Sequence, residues 1–311
     1  MKNGVYIAYI CAITNAVIVG LSFLFTKTAV NESNPIDTLA FRFTVAFITV
    51  SLLILFKVVK VNIRIKSYYK LIPLTILYPT FFFSFQAFGL QSVPSSEAGI
   101  LFATIPIITT ILASVFLKER TSIIQKNCII ISVLGVIYIF IMKGSTISLS
   151  NWMGILLLVI SCLSLSGYTV LTRSLVQTFK PMEITFFMLG VGFIFFNIAS
   201  FITHISNHSL QSMFVPWTNS RFVVSILFLG ILASFITSLL SNFILSKISA
   251  SQMSVFSNMS TIVSIAAGGI ILNEDIFIYH FIGSFLIIFG VIGTNLFKDT
   301  VIFKRSTTTN E

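Results

Sequence analysis

Polar residues in this chain fall in short clusters, and between the clusters lie stretches dominated by Ile, Leu, Val, Phe and Ala. Each stretch is about 20 residues long, enough to cross a hydrocarbon core of about 30 Å as a helix. They begin near residues 5, 36, 71, 96, 123, 152, 182, 222, 250 and 276, so the pattern predicts ten transmembrane helices and an all-α membrane protein. Runs such as "GILLLVISCLSLSGYTVL" lack the period-two alternation of barrel strands. The intervening clusters have turn chemistry: "NESNP" after the first span, "SVPSS" after the third and "KGSTISLSN" after the fifth.

Composition agrees. The 311 residues are 56% hydrophobic and 9% charged, with a mean hydropathy of +1.01, too apolar for a surface that meets water. The net charge of +10 raises the question of nucleic acid. Its distribution answers it: "KVVKVNIRIKSYYK", "KERTSIIQK", "TRSLVQTFK" and the tail "KDTVIFKR" follow spans two, four, six and ten, all on one face. The positive-inside bias makes that face cytoplasmic, with both termini there, in a multi-pass protein of the inner (cytoplasmic) membrane with no nucleic-acid partner. The first apolar run, residues 4–26, exceeds a signal-peptide core of about 7 to 15 residues and reads as a retained helix. Cys11, Cys128 and Cys162 lie inside spans, which leaves no disulfide framework. The loop "HISNHSLQSMFVPWTNSR" carries His204 and His208 but no further ligands, so it reads as a solvated interfacial loop anchored by Trp217, with no metal or cofactor.

A repeat organises the ten spans. "FLKERTSI" at 116–123 returns as "ILNEDIFI" at 271–278, and both Glu119 with Glu274 and Gly135 with Gly290 are 155 positions apart. In a second register, Lys27, Pro35 and Asp37 match Arg173, Pro181 and Glu183, each 146 residues on. The chain thus divides into a first repeat at 1–147, a second at 148–297 and a cytoplasmic tail at 298–311. Five spans is an odd number, so the copies face opposite ways across the bilayer, which explains why the second glutamate loop has lost its positive charges. Two inverted five-helix repeats with a midplane site between them are an architecture of secondary transporters.

The segments "TLAFRF" at 38–43, "SSEAGILFATIPIITTILASVFLKE" at 95–119 followed by "GVIYIF", and "ILNEDIFIYHFIGSFLIIFGVI" in the second half resemble the EamA family of the drug/metabolite transporter superfamily. The resemblance runs over essentially the whole chain. It implies ten helices in two inverted bundles and movement of small metabolites. Two positions depart from the family pattern: Pro106 has Thr261 as its repeat partner, and the first helix reads "NAVIVGLSF" where a Trp-Gly pair is usual.

Ionisable groups within spans are costly and few. Arg42, about two turns into the second span, near Asp37 in sequence and with Lys27 or Glu97 as candidate neighbours in space, is either a fork-shaped anchor for a carboxylate or phosphate, or a structural ion pair or a side chain snorkelling to the outer headgroups. Glu97 opens the fourth span, where a carboxylate is favoured by the free N–H groups, and could also couple transport. Glu119 and Glu274 read as loop caps. Among neutral groups, Asn15, Tyr78, Gln86, Tyr168, Asn242 and Asn258 are the candidates for lining a substrate cavity, because in lipid such groups must meet protein or water. Pro73, Pro79, Pro106, Gly268 and Gly269 are expected to loosen the helices that carry them, and Gly283, Gly290, Gly293, Ser132 and Gly135 to let helices five and ten approach closely. No phosphate-loop motif and no catalytic constellation is present. The function expected is a secondary transporter that exports a small organic metabolite, such as an amino acid or similar zwitterion, by alternating access, as a monomer or homodimer. An exporter of drugs or other toxic small molecules and an intramembrane enzyme stand as alternatives.

Overall fold

The computed structural model describes residues 2–59, 61, 69–93, 95–144, 151–207, 212–271 and 275–296, without the side chains of residues 2, 3, 91 and 95–97. Among the described residues there are no strands, and ten helices are long and apolar enough to cross a membrane. They are α1 Gly4–Glu32, α2 Pro35–Leu55, α3 Tyr69–Leu90, α4 Ala98–Phe116, α5 Ile123–Met142, α6 Trp152–Leu175, α7 Pro181–Ser206, α8 Ser220–Lys247, α9 Ala250–Ile271 and α10 Ile278–Leu296. Their outer faces are bare hydrocarbon, as Ile194, Ile198, Ile278, Phe281 and Phe285 illustrate, each more than half exposed. Lipid takes the place of water there.

The ends of these helices are written locally. Asn34 caps α2 by accepting the Asp37 N–H, and Pro35 at the first helical position loses no hydrogen bond. Ser122 with Gln125 caps α5, and Ser249 with Gln252 caps α9, each as a reciprocal box.

The most extensive contacts join α1 to α8 and α9, α6 to α3 and α4, α2 to α7, and α5 to α10. Exchanging every helix number n for n + 5 leaves that set unchanged. This is the packing that two inverted five-helix repeats would give. The α5–α10 seam is made by small residues: a Cβ on Gly135 would lie 2.8 Å from the Gly283 carbonyl oxygen, and one on Gly290 would lie 2.5 Å from the Cys128 carbonyl oxygen. Without a hydrophobic drive between helices in lipid, such close packing supplies the attraction.

Four helices are interrupted, and they form two such pairs. In α3 the turns widen over Ile76–Phe81, and Tyr78 has extended backbone (φ −146°, ψ 121°). The following Pro79 accounts for this, because its ring disfavours a helical conformation at the residue before it and it has no N–H to donate. In α8 the turns widen over Phe228–Ile236. Helix α4 divides at Thr104, ahead of Pro106, into Ser95–Ala103 and Ile105–Phe116. Helix α9 divides into Ala250–Phe256 and Met259–Ile271.

The break in α9 differs from the expectation, since the helix runs straight through Gly268 and Gly269. It falls instead at Ser257–Asn258. There the Ser254, Ser257 and Ser260 hydroxyls donate to carbonyls three residues back, and the backbone tightens to three-residue bonds such as Asn258 N–H to Val255 O. Serine hydroxyls compete with the helical ladder, so a serine run does here what glycine was expected to do. Pro73 likewise sits in the first turn of its helix, where it disturbs nothing.

Candidate substrate site and the polar groups buried around it

Arg42 lies seven residues into α2, about 10 Å from its start at 1.5 Å per residue. Its side chain does not turn to Asp37. Nε donates to the Ser234 hydroxyl at 2.6 Å and a terminal nitrogen to the Ala233 carbonyl at 2.7 Å, both on the widened segment of α8. The guanidinium carbon stands 4.8 Å from the centroid of the Phe83 ring, a cation–π contact. Arg42 is only 8% exposed, and among the described residues no carboxylate pairs with it. The side chain of Glu97, one partner considered for it, lies outside the described residues, as do His208 and Glu274.

Beside Arg42 an aromatic group spans α3 and α6. Tyr78 stacks on Tyr168 with ring centroids 4.6 Å apart and also meets Phe82 and Phe83. The Tyr168 hydroxyl donates to Asn242 Oδ1 on α8 at 3.0 Å, and Asn242 Nδ2 donates to the Thr185 hydroxyl on α7 at 2.8 Å. Asn242 is 0% exposed, so its amide is fully engaged in tying α6, α7 and α8 together. Four of the residues singled out from sequence, Arg42, Tyr78, Tyr168 and Asn242, are thereby joined in one continuous cluster.

Asn15, Asn258 and Gln86 sit on α1, α9 and α3. Asn15 on α1 donates to the Ser241 hydroxyl on α8 at 3.2 Å, and its buried carbonyl oxygen has no hydrogen-bond partner. Asn258 on α9 donates to the Ser132 hydroxyl on α5 at 3.0 Å. Gln86 is half-buried on α3, on the same helix face as Phe82 and Phe83.

Charged clusters close the two ends of the bundle. At the end where α1 begins and α10 finishes, the Glu119 carboxylate accepts from Ala250 N–H at 3.2 Å and pairs with Arg173 at 3.6 Å, while Arg173 donates to the Leu245 carbonyl. One glutamate thus joins the α4–α5 loop to α6 and α9, a capping role in line with its sequence reading. At the opposite end Asp37 and His204 are buried together. Sequence reasoning placed His204 in a solvated loop, but it occupies the last turn of α7 at 6% exposure and reaches the Asp37 carboxylate at 2.8 Å. The correction has a simple cause: α7 continues to Ser206, one turn deeper into the loop sequence than its polarity suggested. Their separation of 167 positions left no local signal of the pairing.

An all-helical, ten-span bundle whose principal contacts run between its halves, with polar and aromatic groups buried at that interface, is built as a multi-pass membrane protein. Comparison with known proteins identifies which kind. The chain belongs to the EamA-like transporter family, whose model matches residues 6–141 and 152–296. It is 45% identical over 289 residues to the uncharacterized transporter YcxC of Bacillus subtilis, covering 93% of each chain. An uncharacterized transporter of Archaeoglobus fulgidus is 29% identical over 272 residues, 88% of this chain and 92% of that one. A solved crystal structure superposes with a TM-score of 0.76 at 16% identity, over 94% of this chain and 99% of the other, a likeness of fold. The protein is therefore a membrane transporter and not an enzyme, with a small-molecule substrate and the lipid bilayer as its surroundings.

Proposed function

We propose that the chain is a secondary transporter that exports a small, carboxylate-bearing organic metabolite, an amino acid or similar zwitterion, by alternating access across the cytoplasmic membrane. The observation that carries this reading is Arg42. A cation within a span costs about 2.5–3.5 kcal/mol on insertion scales, yet here it is kept beside the Tyr78–Tyr168 pair with no described carboxylate to offset it. A planar guanidinium fork matches a carboxylate in two bonds, and the aromatic faces suit the apolar body of such a solute. Repeats 1–147 and 148–297 flank this site, and the interruptions in α3, α8, α4 and α9 supply the bends that rocking one repeat against the other requires. Lys57, Lys70, Lys118, Arg120, Lys126, Lys180 and Lys247 all fall at the end where α1 begins and α10 finishes, which supports a cytoplasmic placement of that end. Within this reading Asn15, Gln86, Asn258 and Glu97 are further contacts along the solute's path.

Counterflow in proteoliposomes against labelled amino acids, organic acids, amines and neutral solutes tests the proposal. Saturable exchange of a carboxylate-bearing solute is expected, with Arg42→Gln abolishing it and Arg42→Lys, which keeps the charge but not the fork, weakening it. Far-UV circular dichroism and size exclusion establish that each variant inserts. Exchange confined to cationic or neutral solutes, or an inserted Arg42→Gln protein with wild-type exchange, would sink the reading.

A further inference from the structure

The far end of the α2–α7 pair holds a buried titratable group that transport of a metabolite does not by itself require. Asp37 is 3% exposed and His204 6%. His204 Nε2 lies 2.8 Å from Asp37 Oδ2, the Asn34 side-chain amide donates to the same oxygen at 2.7 Å, and the Ser200 hydroxyl donates to Oδ1 at 2.5 Å. Asp37 stands in the first turn of α2 and His204 in the last turn of α7. A helix N-terminus favours negative charge and a C-terminus positive charge, and the pair is placed with its carboxylate at the first and its imidazole at the second.

We propose that Asp37 and His204 form a proton-binding site that latches α2 to α7 at the end of the bundle opposite the one where α1 begins and α10 finishes. The ligand is a proton taken from the solution on that side, the exterior in the orientation proposed above. With the proton bound, an imidazolium faces the carboxylate and the two helices are held together. Loss of the proton as pH rises leaves a buried carboxylate with neutral donors alone, and burial disfavours that arrangement, so water reaches Asp37 and the helix ends part. Lys27, Glu32 and Arg221 stand at the same end but are exposed, where solvent and salt screen their charges. His208, four residues after His204, lies outside the described residues and is removed in the test. The pair ties α2, which carries Arg42, to α7 of the second repeat, so a proton on this side bears on how the two halves meet.

The test needs no substrate, which separates its failure from that of the transport reading. The full chain, in lipid nanodiscs, carries His208→Gln and alanine in place of Cys11, Cys128 and Cys162. Spin labels at Glu32, just before α2, and Asn207, just after α7, report the far-end distance. Histidine nitrogen NMR on the unlabelled protein reports protonation, with the His204 signal assigned by its loss in His204→Gln. From acidic to alkaline buffer the His204 signal should change from the protonated to the neutral form and the label distance shift to longer values. In His204→Gln, whose amide still donates to Asp37 but does not titrate, the distance should not respond to pH. A distance that stays fixed while His204 titrates, a His204 that does not titrate, or a pH response that survives in His204→Gln would each overturn the proposal and leave the pair a plain staple.

Discussion

Gly290→Ala puts the packing account to a quantitative test. In the α5–α10 seam the added methyl would lie 2.5 Å from the Cys128 carbonyl oxygen, 2.6 Å from Ser132 Cβ and 2.7 Å from Ser132 N. Comfortable contact begins at about 3.5 Å, so the shortfall is about 1 Å. Two of the three atoms are backbone, which no rotamer change can move, and α10 must therefore back away from α5. Gly4→Ala is the control, since its methyl would meet only the end of the Lys247 side chain at 3.9 and 4.0 Å. Gly290 lies in a helix interior, where alanine gains about 1 kcal/mol over glycine, and Gly4 lies in a first turn, where it gains less, so the excess loss in Gly290→Ala is a lower bound on the packing cost, about 1–3 kcal/mol for overpacking at a tight site. A value of 2 kcal/mol corresponds to about a 30-fold change in the folded-to-unfolded ratio. Reversible unfolding by SDS in mixed micelles, followed by far-UV circular dichroism, measures it. Two variants that agree within about 0.5 kcal/mol would refute the close backbone approach, and with it the idea that this seam is held by small-residue packing.

Glu119→Gln should destabilise the protein by about 1–3 kcal/mol, because Arg173, its side chain 18% exposed, loses the charge 3.6 Å away. A double-mutant cycle with Arg173→Gln should show coupling of the same sign, and none if the clasp is incidental. Asn242→Leu should cost about 1–3 kcal/mol in the same SDS assay by removing the bonds to Tyr168 and Thr185. In that background Tyr168→Phe should cost less than it does alone, since the hydroxyl has already lost Asn242; an undiminished penalty would mean that the two do not act together.

The spans and their number could be read from the sequence, because a bilayer forces each crossing to be a long apolar helix that satisfies its own backbone. The sequence also pairs Glu119 with Glu274, Gly135 with Gly290 and Pro35 with Pro181 at fixed spacings, and the family model matches the chain over two ranges, 6–141 and 152–296. The polar residues within spans could be enumerated too, since each stands out against hydrocarbon. What each one touches could not. Arg42 turns to α8 and not to Asp37, Asp37 pairs with a histidine 167 positions away, and Tyr168 with Asn242 builds a bridge that involves three helices. Those pairings depend on how each helix is rotated and slid against its neighbours. Rotation and register are fixed by close contacts such as Gly135 against Gly283, and these exist only once the helices have packed. The break in α9 belongs to the same class, since the Ser254, Ser257 and Ser260 hydroxyls bond back to the ladder at a place that the pattern of apolar residues did not mark. Sequence by itself determined which segments cross the membrane and which polar groups they carry in with them, while the tertiary packing of those segments decided which of the groups meet.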